Sequence, residues 1–118
     1  VEWVGATVVL CDVEADSLNI DIAKAKKLIT KKTKAIIPVH IAGYPCVMDN
    51  LGELAKKHRL YIIEDAAHAS GTKFKGKKIG NFSDCTVFSF YATKNLATGE
   101  GGMVVARDKP FIDKIRKK

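Results

Sequence analysis

At 118 residues, with 47% hydrophobic and 28% charged side chains, the chain has the length and mixture of one small globular domain. No apolar run approaches the roughly 20 residues a membrane span needs, and neither a signal-peptide pattern nor a linker or repeat is present. The net charge of +7 favours anionic partners, but the basic residues are dispersed over several predicted helix faces and turns. No nucleic-acid-reading motif accompanies them, and the tail from Lys114 to Lys118 reads as solvated helix surface. Cys11, Cys46 and Cys85 show no paired spacing, which suits a reducing cytoplasm, and no metal site is assigned.

In chain order, Val8–Cys11 is predicted as a buried strand. Asp21 then starts a helix that places Ile22, Ala25, Leu28 and Ile29 on one face. Ala35–His40 is a second strand, with Pro38 near its carboxyl end, where a missing ladder donor matters less. After the Gly43-Tyr44-Pro45 loop, Asp49 or Asn50 is expected to cap a helix, with Glu53 completing a capping box. Leu51, Leu54, Ala55 and His58 share its apolar face. Leu60–Ile63 is a third strand ending in Glu64-Asp65. Two strand–helix–strand units in succession imply parallel pairing with right-handed crossovers. Thr72–Ile79 reads as a small hairpin, and Thr86–Phe90 and Met103–Ala106 as core strands. Asp108 caps a last helix, with Pro110 in its first turn and Phe111, Ile112 and Ile115 on the buried side. The expected fold is α/β, a mostly parallel sheet with flanking helices.

One lysine stands apart. Lys94 follows the apolar run Phe88-Ser89-Phe90-Tyr91 and precedes the glycine-rich Gly99-Glu100-Gly101-Gly102. An amine held in a desolvated pocket is easier to keep neutral, and a neutral amine attacks carbonyls. In open α/β sheets ligands gather at the carboxyl ends of strands. Asp65 and Ser89 occupy such ends, and Lys94 lies a few residues beyond one. Together they suit a phosphorylated pyridine aldehyde. The lysine would form a Schiff base, and the carboxylate would keep the pyridine nitrogen protonated, making the ring an electron sink. The hydroxyl would bind phosphate with backbone N–H groups. Each residue has a plainer alternative: Lys94 as a surface lysine, Asp65 as the cap of a helix from Ala66, Ser89 as a satisfied core hydroxyl. His40 and His68 read equally well as ordinary half-buried histidines, and the glycines as a tight turn.

Ile63-Glu64-Asp65-Ala66-Ala67-His68-Ala69, Phe88-Ser89-Phe90-Tyr91-Ala92-Thr93-Lys94-Asn95 and Gly99-Glu100-Gly101-Gly102, in that order, resemble the sugar aminotransferases of the DegT/DnrJ/EryC1/StrS family. Pro38-Val39-His40 with Gly43, and Met48-Asp49, are similar as well, so the resemblance spans essentially the whole chain. It implies a pyridoxal 5'-phosphate enzyme with the large-domain fold of type I (aspartate aminotransferase-like) enzymes. The implied reaction moves an amino group, usually from glutamate, onto a nucleotide-linked keto-sugar. The product would feed a lipopolysaccharide, surface-glycan or antibiotic-sugar pathway, in a cytoplasmic homodimer. By position, the resemblance makes Lys94 the Schiff-base lysine and proton shuttle, Asp65 the partner of the pyridine nitrogen, and Ser89 a phosphate ligand. It sets His68 near the cofactor's phenolic oxygen, Ala67 against its ring and Tyr91 toward substrate. Dehydratases of the superfamily carry histidine at the lysine position, so Lys94 indicates the transaminase branch.

Polypeptides of this family are considerably longer. Residues 1–118 correspond to part of the large domain. The upstream Gly-Thr phosphate loop, a stacking aromatic, the carboxyl-terminal small domain and the partner-subunit residues are expected to lie outside this segment. Two other classes compete: a non-enzymatic basic α/β module that binds anions or nucleic acid, and a nucleotide-binding domain using Glu64-Asp65 as a ribose clamp. The latter lacks a Gly-x-Gly-x-x-Gly fingerprint after the first strand. Productive cofactor binding needs a complete supporting shell. The purified 118-residue chain is therefore expected to show little or no transamination in a coupled assay, and substantial turnover would refute this.

Overall fold

The computed structural model describes residues 1–117. Its elements are α1 (Ile22–Leu28), β1 (Ala35–Ile36), α2 (Met48–His58), β2 (Tyr61–Asp65), β3 (Lys73–Phe74), β4 (Lys77–Lys78), β5 (Cys85–Ser89), β6 (Gly102–Ala106) and α3 (Lys109–Arg116). The main sheet has the order β1-β2-β5-β6, parallel at its first two pairings and antiparallel between β5 and β6. The β3-β4 pair is the predicted hairpin. No helix among the described residues is long and apolar enough to cross a membrane.

Local chemistry explains most boundaries. The Asp21 side chain accepts the Lys24 N–H and starts α1, and Asp108 accepts the Phe111 N–H and starts α3, with Pro110 in its first turn. Helix α2 departs from expectation: it begins at Met48, without a side-chain cap from Asp49 or Asn50. Met48 is 2% exposed, so its burial holds the helix start earlier than the capping pattern suggests. Asp49 instead lies in the first turn, where its charge meets the positive end of the helix dipole.

Leu51, Leu54 and Ala55 of α2 pack with Ile36 and Ile62 of the sheet and Ala25 of α1. His58, expected on the same face, is exposed. The opposite face of the sheet is open, with Tyr61, Val87 and Val104 all exposed. The predicted strand Val8–Cys11 does not form: Leu10 is 87% exposed, and no strand among the described residues pairs with the segment. An extended segment without a ladder partner gains no sheet hydrogen bonds. Cys11 is accordingly half-buried rather than a core residue, whereas Cys85 is buried in β5. On α3, Ile112 is half-buried while Phe111 and Ile115 stay partly exposed, so that face is shallower than predicted. Lys118 of the basic tail lies outside the described residues.

A polar cluster holds the middle of the sheet. The Glu64 side chain on β2 is wholly buried. Its Oε2 lies 2.9 Å from His40 Nε2, and its Oε1 accepts the hydroxyls of Thr86 at 2.9 Å and Ser83 at 2.5 Å. His40 Nδ1 accepts the Cys46 N–H, so a neutral ring carries its proton on Nε2 and donates it to Glu64. Burial alone would push the Glu64 carboxyl up. The hydrogen bonds from His40, Ser83 and Thr86 outweigh it and hold the group below the ordinary carboxylate range.

Two outcomes follow from this packing. Leu51 is 0% exposed, so Leu51→Ala is expected to cost about 2–5 kcal/mol in denaturant unfolding. Because the folded Glu64 titrates below its unfolded value of about 4.3, its stabilisation is full above that pH and is lost as pH falls through the folded value. Glu64→Gln should therefore be less stable than wild type at neutral pH, by about 1–3 kcal/mol. The gap should narrow below about pH 4, where the wild-type carboxyl takes up its proton. Urea titrations across that range check this, and a gap that widens with acid would refute it.

Candidate active site

Asp65 is the last residue of β2 and Ser89 the last of β5. These strands are parallel neighbours, so both residues reach the same edge of the sheet. The register pairs Asp65 with Val87, and side chains alternate along a strand. Asp65, Val87 and Ser89 therefore share the open face, opposite Glu64 and Thr86. With strands about 4.8 Å apart and a rise of about 3.3 Å per residue, the Cα atoms of Asp65 and Ser89 stand about 8 Å apart.

Beyond β2 the chain makes a turn, not a helix. The Ala66 N–H donates to Val87 O at 2.9 Å, and the Ala67 N–H to Asp65 Oδ1 at 3.0 Å. The helix-cap alternative for Asp65 is thereby excluded, and its Oδ2 accepts no hydrogen bond among the described residues. Asp65 and Ala67 are half-buried and His68 is exposed. The same turn brings the His68 ring to the lysine: its Nε2 lies 2.9 Å from Lys94 Nζ. Residues 26 positions apart thus meet directly. With Lys94 as an ammonium, Nε2 accepts, and a neutral His68 ring carries its proton on Nδ1.

Several bonds fasten the lysine-bearing loop. The Lys94 N–H donates to Tyr91 O, the Thr98 N–H to Phe90 O and the Phe90 N–H to Gly101 O. Asn95 Nδ2 reaches Ser70 O at 3.0 Å and ties this loop to the turn that bears His68. From the other side Gly43 packs on that turn: a Cβ there would stand 2.8 Å from His68 O, and its φ of +83° already favours glycine. Ser89 Oγ receives only a long 3.4 Å contact from the Tyr91 N–H, which leaves its own proton available to a ligand. Tyr91 is exposed at the start of the loop.

Not every expectation holds. Lys94 is half-buried beside exposed Tyr91, Ala92 and Thr93, an open shelf rather than the desolvated pocket its apolar neighbours suggest. Of the apolar run only Phe88 is buried, because it lies within β5 inside the sheet, and the lysine lies past the strand's end. His40, read as half-buried, is 1% exposed and bonded to Glu64. The ribose-clamp reading fails, since Glu64 projects from the opposite face to Asp65 and spends both oxygens inside the core. The Glu64–His40 pair and the Asn95 tether had no assigned role in the sequence. An acidic residue alternating with Ile62 at a core-facing position was the available signal for the first.

Rival chemistries find no support in the described residues. Burial pushes the Cys46 thiol up to about 11 and raises Cys11 and Cys85, so none is a ready nucleophile at neutral pH. No cluster of three metal-ligating side chains occurs among the described residues. What one sheet edge does collect is an amine, an imidazole touching it, a carboxylate with a free oxygen and a hydroxyl on the next strand. This donor set fits pyridoxal phosphate, with separate groups for its aldehyde, phenolic oxygen, ring nitrogen and phosphate.

Comparison with known proteins gives the same answer. GDP-perosamine synthase of Caulobacter vibrioides is 47% identical over 98% of this chain and 31% of that enzyme. The structure of DesV from S. venezuelae superposes with a TM-score of 0.93 at 42% identity, over 98% of this chain and 31% of DesV. Spr1654 of Streptococcus pneumoniae, solved in its PLP form, gives a TM-score of 0.87 at 37% identity, over 98% of this chain and 33% of that one. The chain spans about 30% of the length of the curated relatives it matches. The DegT/DnrJ/EryC1/StrS aminotransferase family matches residues 1–117, and this chain belongs to that family.

Proposed function

We propose that the polypeptide carrying this segment is a pyridoxal-phosphate-dependent aminotransferase that moves an amino group, from glutamate, onto a nucleotide-linked keto-sugar. The observation that carries the reading is the 2.9 Å contact of Lys94 Nζ with His68, at the strand edge that also presents Asp65 and Ser89. When bound, the cofactor supplies an aldehyde that accepts the amino group and a protonated ring that takes up electrons from the substrate carbon. The chain's own residues do the rest. Lys94 Nζ would hold the cofactor at its aldehyde carbon and, when free, would carry a proton at the substrate carbon. Asp65 Oδ2 would accept the ring N–H and keep that nitrogen protonated. Ser89 Oγ donates to the phosphate, with help from the backbone N–H groups of the turns around it.

His68 would stand near the phenolic oxygen, Ala67 against the ring and Tyr91 toward the substrate. The keto-sugar assignment draws on the relatives, since GDP-perosamine synthase is named for a nucleotide-linked amino sugar. We assign the segment to the large domain of a homodimeric, cytoplasmic enzyme whose small domain and partner subunit complete the walls of the open shelf.

Adding pyridoxal phosphate to the polypeptide should produce a yellow chromophore. Borohydride should then fix the cofactor to the peptide containing Lys94, and Lys94→Ala should abolish both signals. A label on any other residue, or a chromophore indifferent to that substitution, would overturn the reading.

A further inference from the structure

We propose that Glu64 is a positioning residue that sets the spacing between Asp65 and Ser89, and so between the groups that take the two ends of the cofactor. The inference rests on the cofactor reading above. Glu64 itself touches no ligand, because it projects into the core from the face opposite Asp65. Its role lies in what its two oxygens join. On one flank Oε1 accepts the hydroxyl of Thr86, the residue in register with it on β5 and three positions before Ser89. Ser83, just before β5, bonds the same oxygen. On the other flank Oε2 accepts a hydrogen bond from His40 Nε2.

That second flank needs a tie. The β1-β2 ladder runs through Ala35↔Tyr61 and Ile36↔Ile62 and resumes only as a single bridge, Val39↔Asp65. Pro38 lies in the gap and has no N–H to offer. His40 closes it twice, with its backbone N–H on Asp65 O at 3.0 Å and with its ring on Glu64. One carboxylate therefore joins β2 to β5 and to the segment that follows β1, a single residue below the site. Stability alone does not call for a charge at this place, since apolar side chains of similar volume often replace buried ionic groups without loss. A carboxylate adds direction: its hydrogen bonds have fixed lengths and angles, whereas apolar packing allows strands to slide.

The discriminating experiment compares pyridoxal phosphate with pyridoxal, which lacks the phosphate. A ligand held at both ends gains from correct spacing, and one held only by its ring does not. Affinities are read from chromophore titration of the complete polypeptide as wild type, Glu64→Gln and Thr86→Val. Both substitutions conserve size, and circular dichroism establishes that each variant is folded. Glu64→Gln should weaken pyridoxal phosphate about tenfold and pyridoxal about twofold or less. Thr86→Val, which frees only the β5 flank, should change the ratio in the same direction by a smaller factor, and it decides alone if Glu64→Gln does not fold. Equal losses for both ligands, or no loss for either, overturn the positioning role and leave Glu64 a purely structural residue. A wild type that forms no chromophore, or one that survives Lys94→Ala, overturns the cofactor reading instead, so the two failures are told apart.

Discussion

A carboxylate wholly inside a protein is tolerated only if donors replace the water it has lost. Glu64 meets that condition with one imidazole and two hydroxyls, drawn from two separate stretches of chain. The stretches are far apart in sequence, so the requirement acts on tertiary structure: His40, Ser83 and Thr86 must all arrive together. Once they do, the β2 strand is fixed laterally on both sides. Asp65, the next residue, inherits that placement through its own backbone bonds to Pro38 O and from the His40 N–H. The same hydrogen bonds that satisfy Glu64 thus hold the strand that ends in Asp65.

Parallel pairing does the remaining work of assembly. Because β2 and β5 run the same way, their last residues come to one edge, and the turns that follow both spring from it. The turn after β2 carries His68 and the loop after β5 carries Lys94. Neither would meet the other on an antiparallel pair, where the two strand ends lie at opposite edges. The Asn95 side chain and the close approach of Gly43 then hold the turns against each other. A family relationship predicts that such residues coincide. The sheet supplies the physical reason that they can.

Features governed by local chemistry were legible in the sequence. Asp21 and Asp108 announced their helices, the hairpin announced itself through Gly76, and alternation separated the strands from the helices. Asp65, Ser89 and Lys94 were legible as a set because strand ends are where α/β sheets bind ligands. What depended on distant partners was not. Val8–Cys11 has strand composition but no neighbour to pair with. The Met48 start of α2 was decided by burial against the sheet rather than by a cap. The role of His40 could not be read from its own surroundings, since its partner is 24 residues away. The surroundings of Lys94 were not legible either, because its apolar neighbours in sequence are not its neighbours in space.

Half-burial leaves Lys94 partly open to water, and its Nζ meets His68 Nε2 at 2.9 Å. The imidazole is exposed, and the Asn95–Ser70 bond ties its turn to the lysine-bearing loop. Imidazole and amine therefore come from the turns that follow two different strands and meet at the edge that also presents Asp65 and Ser89. Placing the amine is thus the work of this sheet edge rather than of its apolar neighbours in sequence.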